Sequence, residues 1–80
     1  MRLDKFLKVS RIIKRRTVAA DACSASRVTV NGKTAKPSHV LKVGDILEIS
    51  FGTKSMRVRV VNLLDSTKKA DAAEMYEVLP

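Results

Sequence analysis

The apolar positions of this 80-residue chain change their period near residue 27. Before that point Leu3, Phe6, Leu7 and Val9 follow the three-and-four spacing of a short amphipathic helix. Asp4 in its first turn suits the positive end of the helix dipole. A helix running unbroken to residue 16 would set Ile12 among Lys5, Lys8 and Arg16 on the wheel. The pattern therefore predicts a helix over about 3–9, a break near Ser10 and a tight basic turn over residues 11–16. Thr17 is the expected N-cap of a second helix, about 18–25, because its hydroxyl can accept from the free backbone N–H groups that follow. The face of that helix, Val18, Ala19, Ala22, Cys23 and Ala25, is small enough for close packing, and the two helices make a helix-turn-helix-like pair.

After residue 27 the period is two. Val28 and Val30 alternate with Thr29, and Asn31-Gly32 is a strong hairpin signal. Lys36-Pro37-Ser38 reads as a loop and Val43-Gly44-Asp45 as a turn. Leu47, Ile49 and Phe51 then alternate with Ile46, Glu48 and Ser50. Gly52-Thr53-Lys54 turns the chain into a strand with Met56, Val58 and Val60 on one face and Arg57 and Arg59 on the other, either arginine within cross-strand reach of Glu48. Asp65-Ser66-Thr67 is expected to cap a short helical segment from Lys68 to about Ala73, and Met75, Tyr76 and Val78 to close the sheet. The predicted class is α+β: one domain over residues 1–80, with two short N-terminal helices on a small, mostly antiparallel sheet.

Composition narrows the chemistry. A hydrophobic content of 45% supports a folded core, yet a chain of this size buries only roughly 60% of its unfolded surface and leaves little room for an enclosed cleft. His39 and Cys23 are the single residues of their types, and the three glycines each fall at a turn. That excludes a cysteine-based zinc site, a glycine-rich phosphate loop and an obvious nucleophile–base pair. The chain reads as a non-enzyme without cofactor or metal, and His39 as an exposed or capping residue. Cys23, among small helical residues, reads as core filler in a reducing cytosol. No stretch resembles a signal peptide or approaches a membrane span, so a soluble cytoplasmic protein is expected.

Charge then singles out one segment. The formal charge is +8, and the first sixteen residues carry seven bases against Asp4 alone, a net +6. Arg2, Lys5 and Lys8 cover the side of the first helix opposite its apolar stripe, and Arg11, Lys14, Arg15 and Arg16 crowd the turn. Solvated helices usually interleave acids with bases; this one does not. Such crowding is relieved when phosphates displace counterions, and the start of the second helix adds free N–H groups that favour an anion. The partner expected is a polyanion. Phe6 and Phe51 both fall on apolar faces, which leaves no aromatic pair for reading single strands by stacking. Folded RNA, met through phosphates and 2′-hydroxyls, fits better. Duplex DNA is disfavoured because Val18, Ala19 and Ala20 are not base-reading side chains, and a membrane surface because the apolar stripe is short, lacks Trp and is needed to cover the sheet.

The blocks Arg2-Leu3-Asp4-Lys5-Phe6-Leu7, Arg15-Arg16-Thr17, Arg27-Val28-Thr29-Val30-Asn31-Gly32, Lys36-Pro37-Ser38 and Val43-Gly44-Asp45 occur in that order. Over about residues 1–51 the chain thereby resembles the RNA-binding domain named after bacterial ribosomal small-subunit protein four, with its alpha-L RNA-binding motif; residues 54–80 are an extension. Leu64 to Lys69 and Ala72 to Tyr76 are similar to the small stand-alone bacterial proteins of ribosome-associated quality control, and to a heat-shock relative with a longer basic tail. The resemblance implies binding to a large ribosomal subunit obstructed by peptidyl-tRNA, contact with large-subunit rRNA and tRNA, and support of alanine tailing by the NEMF-family factor RqcH. A constitutive ribosomal subunit, or a heat-shock-type recycling factor, is the alternative. The free protein is expected to be a monomer. Candidate RNA-binding residues are Arg2, Lys5, Lys8, Arg11, Lys14, Arg15, Arg16, Thr17, Lys33 and Lys36, with Asp4 orienting a neighbouring arginine. Ser26 stands where the family usually has glycine, at a helix end where a left-handed residue would cost Ser roughly 1 kcal/mol more than Gly.

Overall fold

The structure is a computed structural model that describes residues 1–64 and 72–80. Helix α1 is Leu3–Val9, as its apolar spacing predicts, and helix α2 is Arg16–Ser24. Five strands follow: β1 (Val28–Val30), β2 (Lys33–Thr34), β3 (Ile46–Phe51), β4 (Lys54–Val60) and β5 (Tyr76–Val78). They form one sheet in the order β2-β1-β3-β4-β5, with every neighbouring pair antiparallel. Most of the helical segment expected from Lys68, with its Asp65-Ser66-Thr67 cap, falls on residues 65–71 and lies outside the described residues. No helix among the described residues is long and apolar enough to cross a membrane.

The core joins the two layers. Leu3, Phe6 and Leu7 of α1, and Ala19 and Cys23 of α2, meet Val28, Leu47, Ile49, Val58 and Val60 of the sheet, all nearly or fully buried. Leu41 and Met75 close the ends of this cluster. Each fully buried aliphatic side chain contributes about 1.5–3 kcal/mol over its exposed state, which a domain this small needs. Where Glu48 faces two possible partners, register decides: it lies opposite Arg57, and their charged groups are 3.5 Å apart. Arg59 lies opposite Glu77 and pairs with it.

Left-handed residues set several of the corners. Asn31 and Gly32 have φ of 52° and 84°, the pair of positive values that a two-residue hairpin between twisted strands demands. Asn31 also holds β3: its Nδ2 donates to Asp45 at 3.1 Å and its Oδ1 accepts from the Ile46 N–H at 2.9 Å. Ser26 has φ 60°, so the left-handed end of α2 is present and Ser bears the cost that glycine would avoid.

Two expectations need correction. Thr17 is not the N-cap of α2. The helix begins two residues earlier, Arg15 is the cap with extended φ and ψ of −121° and 133°, and no side chain caps it. The basic turn is correspondingly shorter, because Arg16 joins the helix. Phe51 lies on the apolar face of β3 but is not covered there: Leu47 and Ile49 on the same side are fully buried, while Phe51 is 45% exposed. The strand runs past the helices that shelter its first half.

Candidate nucleic-acid interface

The two ends of the cationic segment are built differently. The first-turn N–H groups of α1, which a helix cannot satisfy internally, are all taken by protein. Those of Leu3 and Asp4 donate to the carbonyls of His39 and Pro37 at 2.8 and 3.1 Å. That of Lys5 donates to Asp4 Oδ1 at 2.8 Å. The Leu41 N–H returns the contact to the Met1 carbonyl at 2.9 Å, with an antiparallel bridge between Arg2 and Val40. The loop 37–41 thus clamps α1 and fixes where Arg2 emerges. His39 takes part through its backbone.

Asp4 carries the charge logic of the site. Its side chain is only 5% exposed and accepts from Arg2 Nε and Nη2 at 3.2 and 3.1 Å, a two-pronged geometry. Arg16 Nε reaches the same carboxylate at 3.6 Å. One buried anion therefore brings together two guanidiniums from residues fourteen positions apart, each still about half exposed at 51% and 49%. The remaining edges of those planar groups face solvent, in the fork geometry that suits phosphate.

Between the helices the chain turns tightly. The Ser10 hydroxyl is buried and donates to the Leu7 carbonyl at 3.3 Å. Arg11 takes a left-handed φ of 63°, and the Ile13 N–H returns to the Leu7 carbonyl at 3.0 Å. Ile13 is buried and Ile12 partly so. These two apolar anchors leave Arg11, Lys14 and Arg15 pointing to solvent. Lys8, Arg11, Lys14 and Arg15 have no carboxylate partner among the described residues.

Helix α2 begins at this concentration of charge. The Ala19 N–H closes the first helical turn on the Arg15 carbonyl at 3.0 Å. The N–H groups of Arg16, Thr17 and Val18 find no protein acceptor among the described residues, and the first turn holds no acid. Free amides, a helix dipole and adjacent arginines form a place where an anion is stabilised. Thr17, exposed within this turn rather than capping it, adds a hydroxyl.

The other candidates sit apart or are partly engaged. Lys5 is half-buried on α1. Lys36 is exposed in the loop whose next residue, Pro37, receives the Asp4 N–H, so it borders the start of α1. Lys33 is exposed on β2, the edge strand at the far side of β1 from β3. The structure thus brings Arg2, Asp4 and Arg16 into direct contact and sets Arg11, Lys14, Arg15 and Thr17 along the adjoining turn. Arg27, beyond the end of α2, is an exposed base that the sequence reading left out of the set. Its position in the Arg-Val strand opening was the available signal.

Fold and site together define a class: a small α+β domain that presents a pair of clamped helices with a cationic edge whose turn bases have no carboxylate partner among the described residues. Residues 1–47 match the S4 domain family. The chain is 60% identical to the RQC P-site tRNA stabilizing factor of Streptococcus pneumoniae over 79 residues, covering 99% of this chain and 90% of that protein. It is 53% identical to the Bacillus subtilis factor of the same name, covering 99% and 92%. The trimeric structure of Vibrio cholerae heat shock protein 15 has a TM-score of 0.92 at 26% identity, covering 99% of this chain and 81% of that one. The chain belongs to the S4 domain family and, within it, to the RQC P-site tRNA stabilizing factors.

Proposed function

We propose that this protein is a binding factor of ribosome-associated quality control, which grips RNA phosphates with its N-terminal helix pair and steadies P-site peptidyl-tRNA against large-subunit rRNA on an obstructed large ribosomal subunit. By keeping the peptidyl-tRNA in place it would support alanine tailing of the nascent chain by RqcH. The role is one of binding and positioning; no step is assigned to a catalytic side chain. The observation that carries this reading is the edge formed by Lys14, Arg15 and the open start of α2. Cations without carboxylate partners there adjoin backbone N–H groups without acceptors, among the described residues. The names of the relatives supply the kind of RNA: both curated proteins are called P-site tRNA stabilizing factors.

Two features of the edge suit a folded RNA. Clamping by the loop 37–41 and by Asp4 pre-orders the arginines, so little side-chain entropy is lost when phosphates arrive. Free amides at a helix start donate to a phosphate at one place, while the cations of the turn track a backbone. The test is co-sedimentation with large subunits that carry peptidyl-tRNA and with vacant ones. Lys14→Glu with Arg15→Glu removes no described ion pair, so the fold should persist while association with the obstructed particle is lost. Retained co-sedimentation of the folded double variant would refute the site. Equal occupancy of vacant and obstructed particles would favour a constitutive ribosomal protein.

A further inference from the structure

Beyond the cationic turn the molecule holds an open groove of about 400 Å³. Ile12 of the turn, Val18 and Ala25 on the α2 side, and Phe51 of β3 line it, with Arg27 and Asp21 among its polar groups. From this we infer a second element of the RNA site: the groove receives one unstacked nucleobase, with Phe51 as the stacking platform and Arg27 on the adjoining phosphate. The inference rests on RNA binding at the neighbouring cationic edge.

The exposure of Phe51 has a structural cause. Alternation along β3 puts its ring on the helix-covered side, but α2 ends at Ser24 and the left-handed Ser26 turns the chain away into β1. Ala25, which faces the groove from the end of α2, is too small to reach over the ring. A leucine there would fill the space. The ring is thus held by paired backbone, Phe51 opposite Lys54, in a residue that remains exposed. A fixed, exposed aromatic is what base stacking requires, and any base has a face to offer it.

The polar groups point to a nucleotide rather than a peptide. Arg27 is exposed and has no carboxylate partner among the described residues. Beside a turn already rich in bases, an acceptor of negative charge is favoured there, and a phosphate supplies it. The Asp21 carboxylate is also without a described partner and can accept from an exocyclic amine on a base edge. The volume lies in the range of roughly 300–1,000 Å³ typical of small-ligand sites. Continuity completes the case: Ile12 lines the groove and sits between Arg11 and Lys14, so a backbone followed by those cations passes its rim.

The test uses two RNA hairpins with the same stem, one fully paired and one with a single bulged 2-aminopurine. The wild-type protein should bind the bulged hairpin on the order of 10-fold more tightly and quench its fluorescence. Phe51→Leu keeps an apolar side chain but should abolish the preference and the quenching, whereas Phe51→Tyr should retain both. Ala25→Leu should abolish the preference while leaving the melting temperature and the affinity for the paired hairpin unchanged. Equal, salt-dependent binding of both hairpins by the wild type would overturn the groove assignment and leave the phosphate reading standing. Binding of neither would overturn both. A preference that survives Phe51→Leu and Ala25→Leu would put the base elsewhere. Self-association lost in Ala25→Leu with RNA preference unchanged would give the groove to a second copy and also overturn the assignment.

Discussion

Replacing Asp4 by Asn separates orientation from charge, because the two predict opposite signs. The carboxylate is 5% exposed, accepts two hydrogen bonds from Arg2 and one from the Lys5 N–H, and lies 3.6 Å from Arg16. Asn keeps the shape and one acceptor oxygen, enough for Lys5, and gives up the charge and the two-pronged grip on Arg2. Ion pairs to half-exposed guanidiniums contribute about 0–1 kcal/mol each, and a hydrogen bond to a charged group about 1.5–3 kcal/mol. A net loss of about 1–2 kcal/mol follows, which lowers the melting temperature of a domain this size by roughly 5–15 °C. For RNA binding, removing a negative charge about 8 Å from a phosphate in water gains on the order of 0.5 kcal/mol, roughly twofold in affinity. Releasing Arg2 and Arg16 from their fixed directions costs more, about one tenfold step for the rotamer freedom of two long side chains. The account therefore predicts a fivefold loss, to order of magnitude, although the protein has become more positive. Fluorescence anisotropy with a folded RNA hairpin near 0.1 M salt, alongside a thermal melt, reads both effects. Affinity equal to or above wild type in the folded variant would refute the orienting role of Asp4.

Ser26→Gly should raise stability by about 0.5–1 kcal/mol by removing the left-handed penalty at φ 60°, seen as a higher urea midpoint; a lower midpoint would show that Ser26 is not strained. Asn31→Ala should cost about 1–2 kcal/mol, since it removes both side-chain hydrogen bonds to the start of β3 and puts a Cβ-bearing residue without a polar group at φ 52°. Burial, with the Asp4 carboxylate adding to it, pushes the Cys23 thiol up to about 11 from its ordinary value near 9. The unfolded chain loses that proton first, so this contribution is complete below pH 9 and fades as pH rises to 11. The stability difference between wild type and Cys23→Ala should shrink over that window, measured by urea unfolding at each pH; a constant difference would contradict it.

How far the sequence could be read depended on whether a feature was local. The bounds of α1, the Asn31-Gly32 hairpin, and the two faces of β4 each follow from spacing within a few residues, and the structure has them all. The start of α2 was misplaced because Thr17 is a good capping residue by type, whereas the close turn at Arg11 brings the chain into helical geometry before Thr17 is reached. Phe51 was misjudged because alternation tells which side of a sheet a residue takes, not whether a helix extends far enough to cover it. The meeting of Arg16 with Asp4 depends on the packing of α1 against α2 and has no signature in the separation of the two residues. The concentration of positive charge was legible from counting alone; that its turn cations lack carboxylate partners among the described residues needed the fold.

The central claim is that bases on the helix pair and its turn meet RNA phosphates directly. It is tested most directly by the salt dependence of affinity for a fully paired RNA hairpin, in wild type and in Arg11→Ala, Lys14→Ala and Arg15→Ala. With five or six phosphate contacts, log affinity against log salt should fall with a slope on the order of −4 to −5. Each substitution should flatten that slope by about 0.7–0.9. A slope near zero in the wild type, or one that the three substitutions leave unchanged, would contradict the account.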